Sequence, residues 1–152
     1  MRDSAKTREL AAALKLRSKR FAVRAIVLCR GFPKSIDGFA VAKQLIRSAG
    51  AAAANYRAAC RSRTDIEFVA KIGVAAEEAD ESEFWLELVV DAEILRPDLV
   101  KELLCEAGEL AAIFTRSRDT AKRNLKKRRL EKKNREKTFD KKRSDDNASV
   151  AR

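Results

Sequence analysis

The chain has 152 residues, of which 45% are hydrophobic, and a formal net charge of +11. This length suits one domain with a modest core. The three cysteines are far apart in the sequence and histidine is absent. A disulfide framework, the common metal-ligand spacings and catalysis by a histidine base are therefore excluded.

Charge is distributed unevenly along the chain. Residues 1–63 carry fifteen Lys/Arg and three acids. Residues 64–112 carry three Lys/Arg and fourteen acids, and residues 113–152 carry sixteen Lys/Arg and six acids. We expect the basic first part to complement the acidic middle, and the basic C-terminal part to meet an external polyanion.

The N-terminus is charged, and no apolar run reaches the roughly 18 residues that span a bilayer. The unpaired cysteines fit a reducing compartment. The sequence therefore predicts a cytoplasmic protein with no membrane contact.

The first helix is predicted near 7–29, where apolar residues recur at helical spacing. They are Leu10, Leu14, Phe21, Ala25 and Leu28. The polar face of this helix is basic. It is either a solvated face that pairs with the acidic third helix, or a phosphate-binding patch made by Arg17, Arg20 and Arg24.

The second helix is predicted near 37–61, with Ser35 or Asp37 as its N-cap. Its core stripe consists of Leu45, Ser48, Ala52, Asn55 and Ala59. This stripe predicts that Asn55 is buried. Gly50 and the neighbouring alanines would let other helices approach on several sides.

The third helix is predicted near 65–95, because Thr64 to Glu67 reads TDIE, a capping box, and Pro97 disfavours helix at residue 96. Its stripe consists of Phe68, Ile72, Ala75, Ala79, Ser82, Leu86 and Val89. Trp85 lies beside that stripe. It either covers the core of its own subunit or packs against another subunit as an interface anchor.

Structural or interface roles are predicted for Arg47, Asn55, Tyr56, Arg57 and Trp85. For Arg57 a salt bridge to an acid of the third helix is favoured over a nucleic-acid contact. The candidate acids are Glu77, Glu78 and Glu81.

The fourth helix is predicted near 98–122, capped by Asp98. Its core positions are Leu99, Leu103, Ala107, Leu110, Phe114 and Ser117. The chain therefore divides into a four-helix bundle, residues 1–117, and a basic tail, residues 118–152. The tail either prolongs the helix, aided by Glu131 and Arg135 at i,i+4, or is disordered, and we expect disorder for its last nine residues.

Residues 118–143 hold fourteen Lys/Arg and four acids. Because these cations would fall on all sides of a helix, they suit phosphate neutralisation more than base reading. The predicted nucleic-acid contacts of the tail are Lys122, Arg123, Lys126, Lys127, Arg128, Arg129, Lys132, Lys133 and Arg135.

Residues 44–68, QLIRSAGAAAANYRAACRSRTDIEF, carry a family resemblance. The matching residues are Arg47, Ser48-Ala49, Ala54-Asn55, Arg63, Asp65 and Glu67-Phe68. The chain resembles the four-helix bundle proteins encoded in intervening sequences of large-subunit ribosomal RNA genes. It departs from their pattern at Ala58 and Ala59, where an acidic residue and a glycine usually stand, so no role of that acid transfers.

The resemblance implies an all-α, antiparallel up-and-down bundle that forms a ring, with a pentamer favoured, and that has no established enzymatic activity. It also implies a relationship to the accessory proteins of diversity-generating retroelements, which work with a reverse transcriptase and RNA.

Two classes of function remain. The first is a non-enzymatic accessory protein that binds RNA or DNA, with a reverse transcriptase as a further partner. The alternative is a protein-interaction bundle with no direct nucleic-acid role. No catalytic residue, metal or cofactor is predicted, because a di-iron bundle needs Glu-x-x-His motifs and the clustered acids near residue 80 share one helix.

Overall fold

A computed structural model describes the backbone of residues 2–150 and the side chains of residues 5–138. It contains four helices: α1 Arg2–Cys29, α2 Ile36–Ala59, α3 Asp65–Asp91 and α4 Pro97–Val150. Each helix packs antiparallel against the next, α1 also packs against α4, and residues 2–150 contain no strand. The predicted all-α four-helix bundle is confirmed.

Local hydrogen bonds explain where α2 and α3 begin. Ser35, not Asp37, is the N-cap of α2, and its hydroxyl accepts from the Gly38 amide at 3.3 Å. Thr64 caps α3 by accepting from the Glu67 amide at 3.1 Å. The Glu67 carboxylate accepts from the Arg63 amide at 3.0 Å, one residue before the cap, so the capping box is present in a slightly shifted form.

The third helix ends earlier than the predicted residue 95. After the C-cap Ala92, Glu93 takes a left-handed conformation with φ 54°. The Ile94 amide then donates to the Val89 carbonyl, and the Glu93 amide to the Val90 carbonyl, both at 3.0 Å. These two bonds form a Schellman motif, which closes the helix although no glycine marks the position.

The fourth helix differs from the prediction at both ends. Asp98 lies inside its first turn and accepts two hydrogen bonds from Arg96, so it is not the N-cap. The helix does not end near residue 122 but continues without a break to Val150. Residues 144–150, for which disorder was expected, belong to this helix, and residues 151–152 lie outside the described part.

Most predicted core residues are buried. They are Phe21, Leu45, Ala52, Ile72, Leu86, Leu103, Leu110 and Phe114. Leu14, Leu28 and Phe68 are partly buried at the edge of this core. Two residues of the predicted apolar stripes are not in the core. Leu10 is exposed, and Leu99 is 58% exposed while its neighbour Val100 is fully buried.

Asn55 is half-buried, not buried as predicted, and its amide donates to the Ala51 carbonyl of its own helix at 2.9 Å. Tyr56 takes the core position instead. The residue is 6% exposed, and its ring stacks on Phe114 of α4 with centroids 4.9 Å apart. At this position Tyr56 replaces Asn55 in the core, because the large aromatic ring gains more from burial than the amide does. The other four predicted positions of the α2 stripe are buried.

Ser48 and Ser82 fix the height of α2 relative to α3. Both side chains are fully buried, and their hydroxyl oxygens lie 2.8 Å apart. Ser82 Oγ also lies 2.8 Å from the Glu78 carbonyl oxygen, so both hydroxyl groups are satisfied. Two small side chains in contact let the helix axes approach closely.

Candidate nucleic-acid interface

The C-terminal half of α4 carries the predicted tail cations on a helix that leaves the bundle. The Arg128 guanidinium bonds to the Asp65 carboxylate at the first turn of α3. Among the described side chains this is the last ion pair that joins α4 to another helix. From Arg128 to Val150 the helix runs about 33 Å at 1.5 Å per residue.

The predicted tail cations from Lys122 to Arg135 are all exposed. Lys122, Lys126, Arg129 and Lys133 are spaced 4, 3 and 4 residues apart and share one side of the helix. None of these four forms an ion pair with a described side chain. They are available to a polyanion without the loss of an existing salt bridge.

Two of the other tail cations have polar partners within α4. The Arg123 guanidinium donates to the Thr120 hydroxyl at 3.1 Å, and Lys132 lies 3.9 Å from Glu136. The expected Glu131–Arg135 pair does not form, and Lys132–Glu136 takes its place. Lys127 and Arg135 have no ion-pair partner in the described region, and the side chains of residues 139–143 lie outside it.

The predicted patch on α1 is largely occupied by carboxylates. The Arg17 guanidinium donates twice to Glu106 at 2.7 Å and also bonds to Glu109, and Arg24 pairs with Glu102 at 3.2 Å. Hydrogen bonds to Glu106 and then Glu109 raise the pKa of Arg17. Of the three predicted contacts only Arg20 has no ion-pair partner among the described residues.

These pairs correct the sequence-based expectation. The basic face of α1 was expected to pair with the acidic third helix, but its partners lie on α4. α1 and α3 are diagonal in the bundle, and in the described chain none of their Cα atoms come within 8 Å of each other, whereas α1 and α4 are adjacent. The acids at 102, 106 and 109, which repeat every three or four residues, were a signal that the sequence contained.

Arg47, on α2, forms the salt bridge that was expected for Arg57. Its guanidinium bonds to Glu78 at 3.1 Å and to Glu81, and the Trp85 indole donates to Glu81 at 3.0 Å. Hydrogen bonds from Arg47 and then Trp85 lower the pKa of Glu81. Arg57 is exposed and forms no ion pair with a described residue.

Trp85 is half-buried and packs against the core of its own chain. Its neighbour Phe84, which sequence reasoning passed over, is 52% exposed and meets the Trp85 ring edge-on at 5.1 Å. Phe84 falls opposite the core positions Ser82 and Leu86 and directs its ring outward.

Three further observations concern chemistry. Cys29, Cys60 and Cys105 are unpaired, and burial raises the pKa of Cys29 to about 11. Within residues 5–138, no three His, Cys, Asp or Glu side chains form a group that could hold a metal ion. No described helix is long and apolar enough to span a membrane.

The fold and this surface define a class: an all-α, antiparallel four-helix bundle whose last helix extends as a basic rod. The profile of the 23S rRNA-intervening sequence protein family matches residues 13–116. The chain belongs to that family. The matched region ends one residue before Ser117, so the extension of α4 lies beyond it.

A solved structure agrees with this assignment. It is a protein of unknown function from the S23 ribosomal protein family of Bacteroides thetaiotaomicron, solved at 1.70 Å. The two chains are 28% identical and superpose with a TM-score of 0.64, over 69% of this chain and 97% of the other. No curated protein matches the chain.

Proposed function

We propose that this protein is a non-enzymatic, cytoplasmic accessory protein that binds nucleic acid, with RNA as its main ligand. It would act as a homo-oligomer, with a pentameric ring favoured, and contact phosphates through the cations of the α4 extension. The observation that carries the proposal is the row of exposed cations on α4, of which Lys122, Lys126, Arg129 and Lys133 lack ion-pair partners in the described region.

Charge and shape both support phosphate binding. A cation that neutralises a phosphate releases a condensed counterion, which is the main source of affinity that does not depend on sequence. The cations of the extension lie on all sides of one continuous helix and so suit a contact with the phosphate backbone more than the recognition of bases. Several extensions in one oligomer would gain affinity through effective concentration.

RNA is favoured over DNA by the name of the family, which refers to a ribosomal RNA sequence. A link to retroelements and a reverse transcriptase partner remains a prediction from resemblance. The absence of histidine and of any motif for covalent catalysis supports a role without enzymatic activity.

The test measures RNA affinity across a salt series in the full-length protein. Truncation at Ser117 is unsuitable, because it would remove the part of α4 that reaches Asp65 on α3. A variant with Lys122, Lys126, Arg129 and Lys133 all changed to Gln keeps that contact. We expect it to lose at least about tenfold in affinity and to lower the slope of log K against log salt by about 3.

The matched control carries the same change in net charge on the bundle. Arg30, Lys34, Arg61 and Lys101 are exposed and form no ion pair with a described residue, and all four would be changed to Gln. This control should keep most of the affinity and nearly the same slope. Equal losses in the two variants would show that only total charge matters. If the α4 variant keeps the wild-type RNA affinity and salt slope, the proposed contact is wrong.

A further inference from the structure

Apolar side chains are exposed mainly on α1 and α2. Eight of the thirteen large apolar residues that are exposed in the described region lie on these two helices. On the outer side of the α1–α2 pair they alternate with small and basic residues. We call the following set the α1–α2 face: Leu16, Lys19, Val23 and Ile26 of α1 with Ile46, Gly50, Ala53 and Arg57 of α2.

One end of the α1–α2 face is a basic groove. Lys15, Leu16 and Lys19 line it from α1, and Ala53, Ala54 and Arg57 line it from α2. Neither lysine nor Arg57 forms an ion pair with a described residue. A Cβ placed on Gly50 would meet no atom within 4 Å, so the surface beside the groove is open and shallow.

The outward side of α3 has the opposite charge. We call it the α3 face; it consists of exposed residues at helical spacing: Val74, Glu77, Asp80, Phe84, Glu87 and Asp91. Four of these six residues are acids, and none is basic. Phe84 lies among them as a large apolar ring, 52% exposed. An exposed ring surrounded by acids complements an apolar surface with a basic rim.

The two faces also match in height along the bundle. Ser48 and Ser82 lie side by side, and α2 and α3 are antiparallel, so Ile46 lies at the level of Phe84. Arg57 lies about 6 Å along the axis from the level of Glu77, at 1.5 Å per residue. A long arginine side chain can cover that distance.

The residues that line the groove show which part of α1 lies beside which part of α2 along the bundle axis. Leu16 faces Ala53 and Ala54, so Lys19 lies near the level of Asp80. Val23 and Ile26 lie near the level of Phe84 and Ile46. Glu77, Asp80 and Phe84 of the α3 face therefore each have a counterpart of suitable chemistry at or near the same height on the α1–α2 face.

We propose that copies of this chain associate through these two faces, with the α3 face of one copy packed on the α1–α2 face of the next. Rotation about an axis parallel to the helices keeps every residue at its own height, so Phe84 meets Val23, Ile26 and Ile46 of the neighbouring copy. Glu77 then pairs with Arg57, and Asp80 with Lys19. Because the two faces differ, the contact is heterologous, and it closes a ring when the rotation between neighbouring copies divides a full turn evenly.

This inference rests on the proposed self-association and is independent of nucleic-acid binding. It moves the predicted subunit anchor from Trp85, which packs on the core of its own subunit, to Phe84. It also gives Arg57 the acidic partner that it lacks within one subunit.

The test begins with the mass of the full-length protein by light scattering and analytical ultracentrifugation. We expect an oligomer at micromolar concentration. Phe84→Asp should raise the dissociation constant of the oligomer by on the order of 100-fold, as for the loss of a central aromatic anchor. Circular dichroism and thermal unfolding of the variant confirm that the subunit is folded.

Charge reversal identifies the partner surface. Glu77→Arg and Arg57→Glu should each weaken assembly by about tenfold or more, and both changes in one chain should restore it. The matched controls are Glu93→Arg and Lys101→Glu. Both residues are exposed and lie outside the two faces, and their reversal should leave the mass unchanged.

Three outcomes would overturn the proposal. A monomeric wild-type protein removes the self-association on which it rests. An oligomer that is unaffected by Phe84→Asp and Glu77→Arg places the interface elsewhere. If Arg57→Glu lowers RNA affinity while the mass stays at the wild-type value, the basic groove binds nucleic acid and not a second copy.

Discussion

The Arg17 guanidinium on α1 donates two hydrogen bonds of 2.7 Å to the Glu106 carboxylate on α4. This bidentate pair joins the first helix to the last, which meet less extensively than the other neighbouring pairs. It also withdraws Arg17 from the basic surface of α1. Arg17 therefore stabilises the bundle and is a poor candidate for phosphate binding.

We predict that Arg17→Met lowers the free energy of unfolding by about 1 kcal/mol, the upper end for a surface ion pair, and changes RNA affinity little. Arg20→Met is the control, because Arg20 is on the same helix but has no ion pair with a described residue. It should change stability by less than about 0.5 kcal/mol. Urea unfolding of both variants measures the change in stability, and an RNA titration measures the change in affinity. A larger loss of RNA affinity in Arg17→Met than in Arg20→Met would contradict this assignment.

Neighbouring residues on α2 should differ sharply in their effect on stability. Asn55 is half-buried and bonds only to its own helix, so Asn55→Ala should change stability by less than about 1 kcal/mol, since alanine favours the helix. Tyr56 stacks on Phe114 in the core, and Tyr56→Ala should cost about 3–5 kcal/mol. Thermal unfolding of the two variants tests the pair. If Asn55→Ala proves the more damaging, the assignment of this core position to Tyr56 and not to Asn55 is wrong.

The spacing of apolar residues predicted the fold well, because the pattern that specifies a helix and its buried face is local and repeats every few residues. The core positions of α3, with Ile72, Leu86 and Val89 among them, follow one unbroken heptad pattern and are buried. The TDIE capping box placed the start of α3 at the right residue. These features depend on neighbours within one or two turns, which a sequence displays directly.

Side-chain partners could not be predicted in the same way. Arg47 and Arg57 are both basic residues on α2, and only the rotation of the helix decides that Arg47 meets Glu78 while Arg57 faces outward. The end of α3 was missed because Glu93 adopts a positive φ without the glycine that normally marks it. The sequence left open whether the tail prolongs α4 or is disordered, because the extension has little apolar surface to indicate a helix.

Two glutamates of α3 should give opposite responses to pH. Hydrogen bonds from Arg47 and then Trp85 lower the pKa of Glu81, so the stabilisation is complete above the unfolded value of about 4.3 and is lost as pH falls through the folded value. Burial, followed by repulsion from Glu87 and Asp80, raises the pKa of Glu83. Ionised Glu83 therefore destabilises the fold at neutral pH, and its protonation relieves this.

The measurement is the urea midpoint of two variants between pH 3 and pH 7. Glu81→Gln should be less stable than wild type at pH 7 and should lose less stability on acidification. Glu83→Gln should be more stable at pH 7, with the difference vanishing as pH falls. If the urea midpoint at pH 7 changes in the same direction in both variants, the assignment of opposite pKa shifts to Glu81 and Glu83 is wrong.

The last prediction concerns the α4 extension. Leu130 is exposed and follows the Arg128–Asp65 pair by two residues, so Leu130→Pro should break the extension close to this surface ion pair without removing a cation or a core side chain. We expect helical circular dichroism to fall while the urea midpoint stays within the range of Leu130→Ala. Ala112→Pro, at an exposed position of α4 inside the bundle, should instead cost about 3 kcal/mol.

The same variant separates charge from geometry in RNA binding. Because all the phosphate-binding cations remain, Leu130→Pro should keep the wild-type salt slope and lose less than about tenfold in affinity. A clearly lower slope would mean that the cations must be held on one continuous helix to reach their phosphates. A loss of bundle stability equal to that of Ala112→Pro would mean that the extension packs on the bundle and is not a free arm.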